Sequence, residues 1–223
     1  MVPDARKIDR ISYEEMLEMA SMGARVLQNR SVELAMRHGM PIHLRSGFED
    51  VPGTQVTRED EAMERAAITG VAYNRDEAKI TISGIPDHPG IASGIFGPVA
   101  EAGINVDVIV QNVSEEGFTD ITFTVPRGDF EPAMKILREV CGQMQGRDVK
   151  GDDTVAKVSI IGMGMRSHSG VARQMFETLA REGINIQMIT TSEIKITVVI
   201  DEKYVELAVR ALHTAFDLDA EPA

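Results

Sequence analysis

Apolar and polar residues along this chain repeat as one pattern used twice. Ile80-Thr81-Ile82-Ser83-Gly84 alternates in the period of a strand, and after a loop Ile91, Ile95 and Val99 recur at helical spacing with Phe96 beside them. The pattern returns as Val158-Ser159-Ile160-Ile161-Gly162, a loop, and then Val171, Met175 and Leu179 with Phe176 alongside. From Gly90 onward the offset is a constant 80 residues, pairing Gly90 with Gly170, Gly103 with Gly183 and Asn105 with Asn185. A repeat that keeps its glycines, apolar positions and polar punctuation in register is one supersecondary unit built twice. Any ligand is expected to sit between the copies.

The first copy predicts a strand (78–84), a helix (90–102) with Pro98 inside it, a strand (104–112), a turn at Ser114-Glu115-Glu116-Gly117, a strand (118–125) and a helix (129–141). The second predicts a strand (156–162), a helix (170–182), strands at 184–190 and 193–200, and a helix (201–215) capped by Asp201. This order is βαββα, an α+β class in which two helices back one sheet on the ferredoxin-like plan. Each sheet needs a closing strand. Arg147-Asp148-Val149-Lys150 can supply one to the first copy, but few residues follow Phe216-Asp217-Leu218. A strand at 68–73, ahead of a polar turn Asn74-Arg75-Asp76-Glu77, is therefore expected to complete the second sheet, leaving the first unit inserted in the second.

Before the repeats, Ser12-Tyr13-Glu14-Glu15 reads as a capping box that opens a helix with Met16, Met19 and Ala20 on its apolar stripe. Gly23 interrupts it, a second helical stretch runs to about Arg37, and Pro41 to Ser46 alternates like a short strand. Two helices and one strand bury too little surface to stand alone, so this segment is expected to be the end of something larger. The charged, turn-rich passage from Gly47 to Arg65 reads as a linker.

Composition narrows the function classes. At 223 residues with 43% apolar content the chain can fill ordinary cores, and its net charge of −12 disfavours nucleic acid or an anionic membrane as partner. The lone Cys141 cannot form an internal disulfide, and no apolar run nears the roughly 18 residues of a membrane-spanning helix. A cytoplasmic location is expected, since Met1 to Lys7 lacks the apolar core of a secretory signal.

The chemistry is sparse. Gly162-Met163-Gly164 imitates a dinucleotide fingerprint but lacks the third glycine in place, and the five histidines are too scattered for a metal cluster. More promising are Pro86-Asp87-His88-Pro89-Gly90 and Met165-Arg166-Ser167-His168-Ser169-Gly170, each delivering chain to a helix N-terminus whose free amides can hold a carboxylate. Asp87 can answer an ammonium group; its counterpart is Ser167. On the next strand Asn105, Asp107 and Gln111 face away from the helices, as do Asn185 and Gln187 in the second copy. Both features also have plain explanations: Asp87 before Pro-Gly is ordinary turn chemistry, and polar residues suit a solvated sheet face.

Taken together, several motifs resemble the tandem ACT domains of the aspartokinase family. They are Asp87-His88-Pro89-Gly90, Ala102-Gly103-Ile104-Asn105-Val106-Asp107, Gln111-Asn112-Val113-Ser114, Thr119-Asp120-Ile121-Thr122-Phe123-Thr124, Gly164 through Gly170, and Thr191-Ser192-Glu193-Ile194-Lys195. Residues 2–8 and 12–27 are similar to the last part of that family's amino-acid-kinase domain. The resemblance implies a remnant of the kinase domain at 1–53, a linker at 54–65, a first ACT domain at 66–150 that lends strand 68–73 to the second, a second at 151–218, and a tail at 219–223.

It implies a regulatory β-type subunit, or a C-terminal fragment, that binds threonine and/or lysine, forms a homodimer through its ACT domains and partners a catalytic α chain. No cofactor is expected in this chain, because the family's ATP, magnesium and aspartate sites lie in the part it lacks, so it should be inactive alone. One effector site would use Asp87, Gly90, Ala92 and Gln111 with Asn185 and Ile186 of the second copy. A related site would use Asp107, Ala172, Ser192 and Glu193. The helices at 12–37 would dock on the catalytic chain or another partner. The loop after Ser114 is shorter than in some relatives, and Gln28-Asn29 stands where many have His-Pro. A reading of another class is a free-standing amino-acid sensor acting on a non-kinase partner.

Overall fold

The computed structural model describes every residue except 4, 25, 62, 64, 65, 114–116 and 220–223. The turn expected at 114–116 and most of the tail therefore lie outside the described residues. In chain order the elements are β1 (Arg10–Ser12), α1 (Tyr13–Ser21), α2 (Asn29–His38), β2 (Ile42–Leu44), β3 (Thr54–Thr57), β4 (Gly70–Pro86), α3 (Ile91–Glu101), β5 (Asp107–Val113), β6 (Phe118–Val125) and α4 (Phe130–Gln143). They continue as β7 (Asp148–Ile161), α5 (Val171–Arg181), β8 (Met188–Thr191), β9 (Lys195–Asp201) and α6 (Val205–Ala215). The chain divides into two compact units, one made of 1–74 with 157–223 and the other of 75–156.

The unit at 75–156 carries the first repeat, with strands in the order β5-β6-β4-β7. Antiparallel β6 pairs with β4 from Ala78↔Val125 to Pro86↔Phe118 and with β5 from Asp107↔Thr124 to Val113↔Thr119. Its core brings Ile91, Ile95 and Val99 of α3 and Leu137 of α4 onto Ile80, Ile82, Ile121 and Phe123. Phe96 meets Phe123 edge to face, ring centroids 5.1 Å apart. The predicted helix stripe is thus the buried one.

The second repeat lies in the other unit, with strand order β4-β7-β9-β8. Residues 70–74 of β4 belong to this unit, where Thr69 N–H donates to the Ile161 carbonyl at 2.8 Å. The first repeat is therefore inserted within the second. Residues 1–57 join the same unit as a three-stranded sheet, β1-β3-β2, with α1 and α2. Ile11, Tyr13, Met16, Met19, Val32 and Val56 share one core with Ala72 and Ile161.

Five expectations need correction. Residues 68–73 and 78–84 do not form two strands with a turn between them: β4 runs unbroken from Gly70 to Pro86. Residues 74–77 hold no Gly or Pro to reverse the chain, and their polar groups find partners in place, Asp76 accepting from the Arg127 amide at 3.2 Å. Likewise the strands expected at 147–150 and 156–162 are one, β7, so the boundary between units falls after Ala156 and not after Lys150. Gly151 is small because α4 packs over it, not because the chain turns; a Cβ there would stand 2.4 Å from the Phe130 ring.

The linker at 54–65 contains β3, the central strand of the N-terminal sheet, which the charged flanks conceal. Strands β5 and β8 begin at Asp107 and Met188, later than the alternation predicts. The amides of Ile104 and Ile184 are spent closing the preceding helices on the carbonyls of Val99 and Leu179. Finally, α1 is not an orphan awaiting a partner, since its apolar face is buried within this chain.

Candidate functional site

Both repeats place a glycine just before the helix that follows their first strand. Gly90 and Gly170 have φ of 95°, a conformation costly for any residue with a Cβ, and they open α3 and α5 without a side-chain cap. The Ile91 amide donates to the His88 carbonyl at 3.3 Å, and no side chain caps the amides that follow it in α3 or those that open α5, where an external acceptor can dock. Asp87 is held at the mouth of α3 by its own amide, which donates to the Gly117 carbonyl at 2.8 Å. Gly90, Ala92 and the Asp87 side chain are exposed.

Register shows which candidates share an end of the sheet. Strand β5 runs parallel to β4, and Gln111 lies opposite Ile121, itself opposite Ile82, near the end of β4 from which Asp87 emerges. Asp87, Gly90, Ala92 and Gln111 therefore collect at one end of their unit. Asp107, opposite Thr124, lies four residues back along β5, about 13 Å away in extended chain. The alternation that faces Asp107 and Gln111 outward also exposes Ile109 between them.

In the other unit the same plan collects Ala172 on the first turn of α5 with Ser192 and Glu193, which follow the end of β8. Asn185 and Ile186 precede the opposite end of β8, where Gln187 N–H donates to the Val199 carbonyl at 2.8 Å. The loop into α5 is built around one atom. The Gly164 carbonyl accepts from the amides of Ser167 and His168 at 3.1 and 3.0 Å, and from the His168 ring Nδ1 at 2.7 Å. Glu193 is not idle: the Arg166 guanidinium reaches it at 3.2 Å and Glu59 at 3.4 Å. These ion pairs are exposed and weak.

The sequence reading missed one polar centre in this unit. Glu15 was legible as a capping residue, and it does cap α1, but its second oxygen accepts from Thr69 and Met163, which are 54 and 148 residues away. No local pattern encodes such contacts. A cleft of about 590 Å³ borders Glu15 and Thr69; its charges are partly spent on one another, with Arg10 2.6 Å from Asp60 and Lys7 paired to Asp9. Among the described residues no group of His, Cys, Asp and Glu is arranged to hold a metal, and no helix is long and apolar enough to cross a membrane.

Comparison with known proteins agrees with this architecture. The ACT domain family matches residues 80–142 and again 158–216, and the amino acid kinase family matches residues 1–46. An aspartokinase of Pseudomonas aeruginosa is 56% identical over 222 residues, which is 99% of this chain and 54% of that protein. A chain in the solved structure of aspartokinase alpha and beta subunits is 55% identical, with 67% of this chain covering 99% of it at a TM-score of 0.64. The ligand-free regulatory subunit of aspartate kinase from Thermus thermophilus is 43% identical, with the same coverage and a TM-score of 0.63. The chain spans about half the length of the curated relatives it matches. With two ACT repeats, one inserted in the other, behind a short amino-acid-kinase segment, this chain belongs to the aspartokinase family.

Proposed function

We propose that this chain is the regulatory region of an aspartokinase, as a β-type subunit or a C-terminal part, and that it binds threonine, lysine or both as feedback effectors of aspartate-family amino-acid synthesis. The observation that carries the reading is the uncapped N-terminus of α3, with Asp87 at its mouth and Gln111 on the adjacent edge strand. An α-amino acid brings a carboxylate for the free amides, an ammonium for Asp87 and a side chain for the amide of Gln111. The α5 end, with Ala172, Ser192 and Glu193, offers a second version in which Ser167 stands where the first has Asp87. On this reading, phosphoryl transfer from ATP to aspartate falls to the amino-acid-kinase part of the family's enzyme, which the ACT pair would regulate.

Pairing of two copies completes the reading. Strands β5 and β8 are edges, and both expose an isoleucine at equivalent positions, Ile109 at 54% and Ile189 at 43%. Apolar edges of this kind are covered in stable proteins. A second copy laid along them supplies Asn185 and Ile186 to one site and Asp107 to the other. An effector inhibits only if it binds the inactive arrangement more tightly, and couplings of roughly 1–3 kcal/mol are usual. Isothermal titration with L-threonine and L-lysine, separately and together, tests the proposal: saturable binding weakened by Asp87→Ala is expected, and no heat from either amino acid at millimolar concentration overturns it.

A further inference from the structure

Helix α1 is tied to both walls of the α5 end by two of its glutamates. Glu15 is 1% exposed, and its carboxylate accepts four hydrogen bonds from three parts of the chain. One oxygen takes the Ser12 amide at 3.1 Å and the Ser12 hydroxyl at 2.9 Å; the other takes the Thr69 hydroxyl at 2.5 Å and the Met163 amide at 3.0 Å. Of these four, the helix cap requires only the bond from the Ser12 amide. Met163 opens the turn Met163–Arg166, and the chain from there to His168 is bonded internally around the Gly164 carbonyl. That loop can shift as one piece, hinged at Glu15 and ending at Gly170.

The second tie lies one turn further along α1. Glu18 accepts from the Lys195 ammonium at 2.6 Å, with side chains only 27% and 17% exposed. Lys195 follows the turn that carries Ser192 and Glu193, and its carbonyl accepts from the Ser192 amide at 2.8 Å. The loop at 163–168 leads through Gly170 into the first turn of α5, and the Gly162 amide at its start donates to the Ile194 carbonyl of the turn at 192–195 at 2.9 Å, so these two segments are the walls of the α5 end. Each wall is therefore held by a different side chain of the same helix.

We propose that Glu15 and Glu18 are positioning residues that make α1 the sensor of ligand at the α5 end. Drawing the walls together around an amino acid pulls on both carboxylates and reorders the first turns of α1, within the segment matched by the amino acid kinase family. This rests on the effector-binding reading above. By linkage the effect is reciprocal, so changes at α1 alter affinity for the ligand.

Hydrogen exchange of the whole chain, with and without millimolar L-threonine or L-lysine, tests the proposal. In the wild type, ligand is expected to slow exchange about fivefold or more both at 163–170 and in α1. With Glu15→Gln, and independently with Lys195→Met, protection at 163–170 persists while that of α1 is lost. Because Lys195→Met leaves the buried Glu15 centre intact, it reads the coupling even if Glu15→Gln fails to fold. Ligand protection confined to 163–170 in the wild type, or protection of α1 that survives Lys195→Met undiminished, overturns the relay alone. No protection at 163–170 with either amino acid overturns binding at the α5 end and the relay with it, whereas the α3 site is read separately by the titration with Asp87→Ala.

Discussion

At the scale of the residue, the candidate site depends on positions that contribute little or no side chain. Gly90 and Gly170 sit at φ 95° with open space around a notional Cβ, so the demand is one of backbone conformation and not of crowding. Gly170→Ala is expected to cost about 1–2 kcal/mol, because an L-residue there pays the left-handed penalty, and to weaken amino-acid binding; thermal melts and titrations measure both. Cys141 gives a contrasting case. Burial first, and the charge of Asp148 second, push its thiol above the ordinary value of 9.0. It is therefore neutral at about pH 8 and slow to react, since the thiolate is the nucleophile. Alkylation is expected only after denaturation; rapid labelling of the native chain, followed by mass spectrometry, contradicts this placement.

Among the elements, helices were easier to read than strands. The stripes Ile91-Ile95-Val99 and Val171-Met175-Leu179 are buried as their spacing predicts, because a helix carries its periodicity in contiguous residues. Strands β4 and β7 each looked like two pieces, because polar runs and a glycine imitate turns whose absence only packing reveals. Phe123, fully buried and edge-on to Phe96, should be the most sensitive position in the first repeat's sheet. Phe123→Ala is expected to destabilise the unit at 75–156 by about 3–5 kcal/mol, seen as faster exchange along β4 and β6. At the start of α6, the Lys203 ammonium and amide hold the Asp201 carboxyl below its ordinary 3.8. A lowered native value means that the contribution is present above 3.8 and lost as pH falls through that lowered value. Asp201→Asn should remove this acid-side dependence from the melting curve; because the group is exposed, the change is small.

For the whole molecule, the division into units predicts how damage spreads. Residues 1–57 share a core with Ala72 and Ile161, so deleting them exposes the latter and frees the Met163 amide from Glu15. Exchange at 68–72 and 161–163 should rise sharply in that truncation while the unit at 75–156 keeps its protection; uniform loss across both units would refute the division.

The sequence by itself determined the repeat, the helix faces, the capping box at Ser12 and the loops that lead to Gly90 and Gly170. All of these are encoded within a turn or two of chain, or by the fixed offset between copies. Tertiary structure alone decided that β4 and β7 each run unbroken through both units, that β3 is a central strand, and that Glu15 joins Ser12, Thr69 and Met163. Those outcomes depend on partners up to 148 residues distant, and a buried polar group is satisfied by whatever donors the fold brings to it, not by its neighbours in sequence.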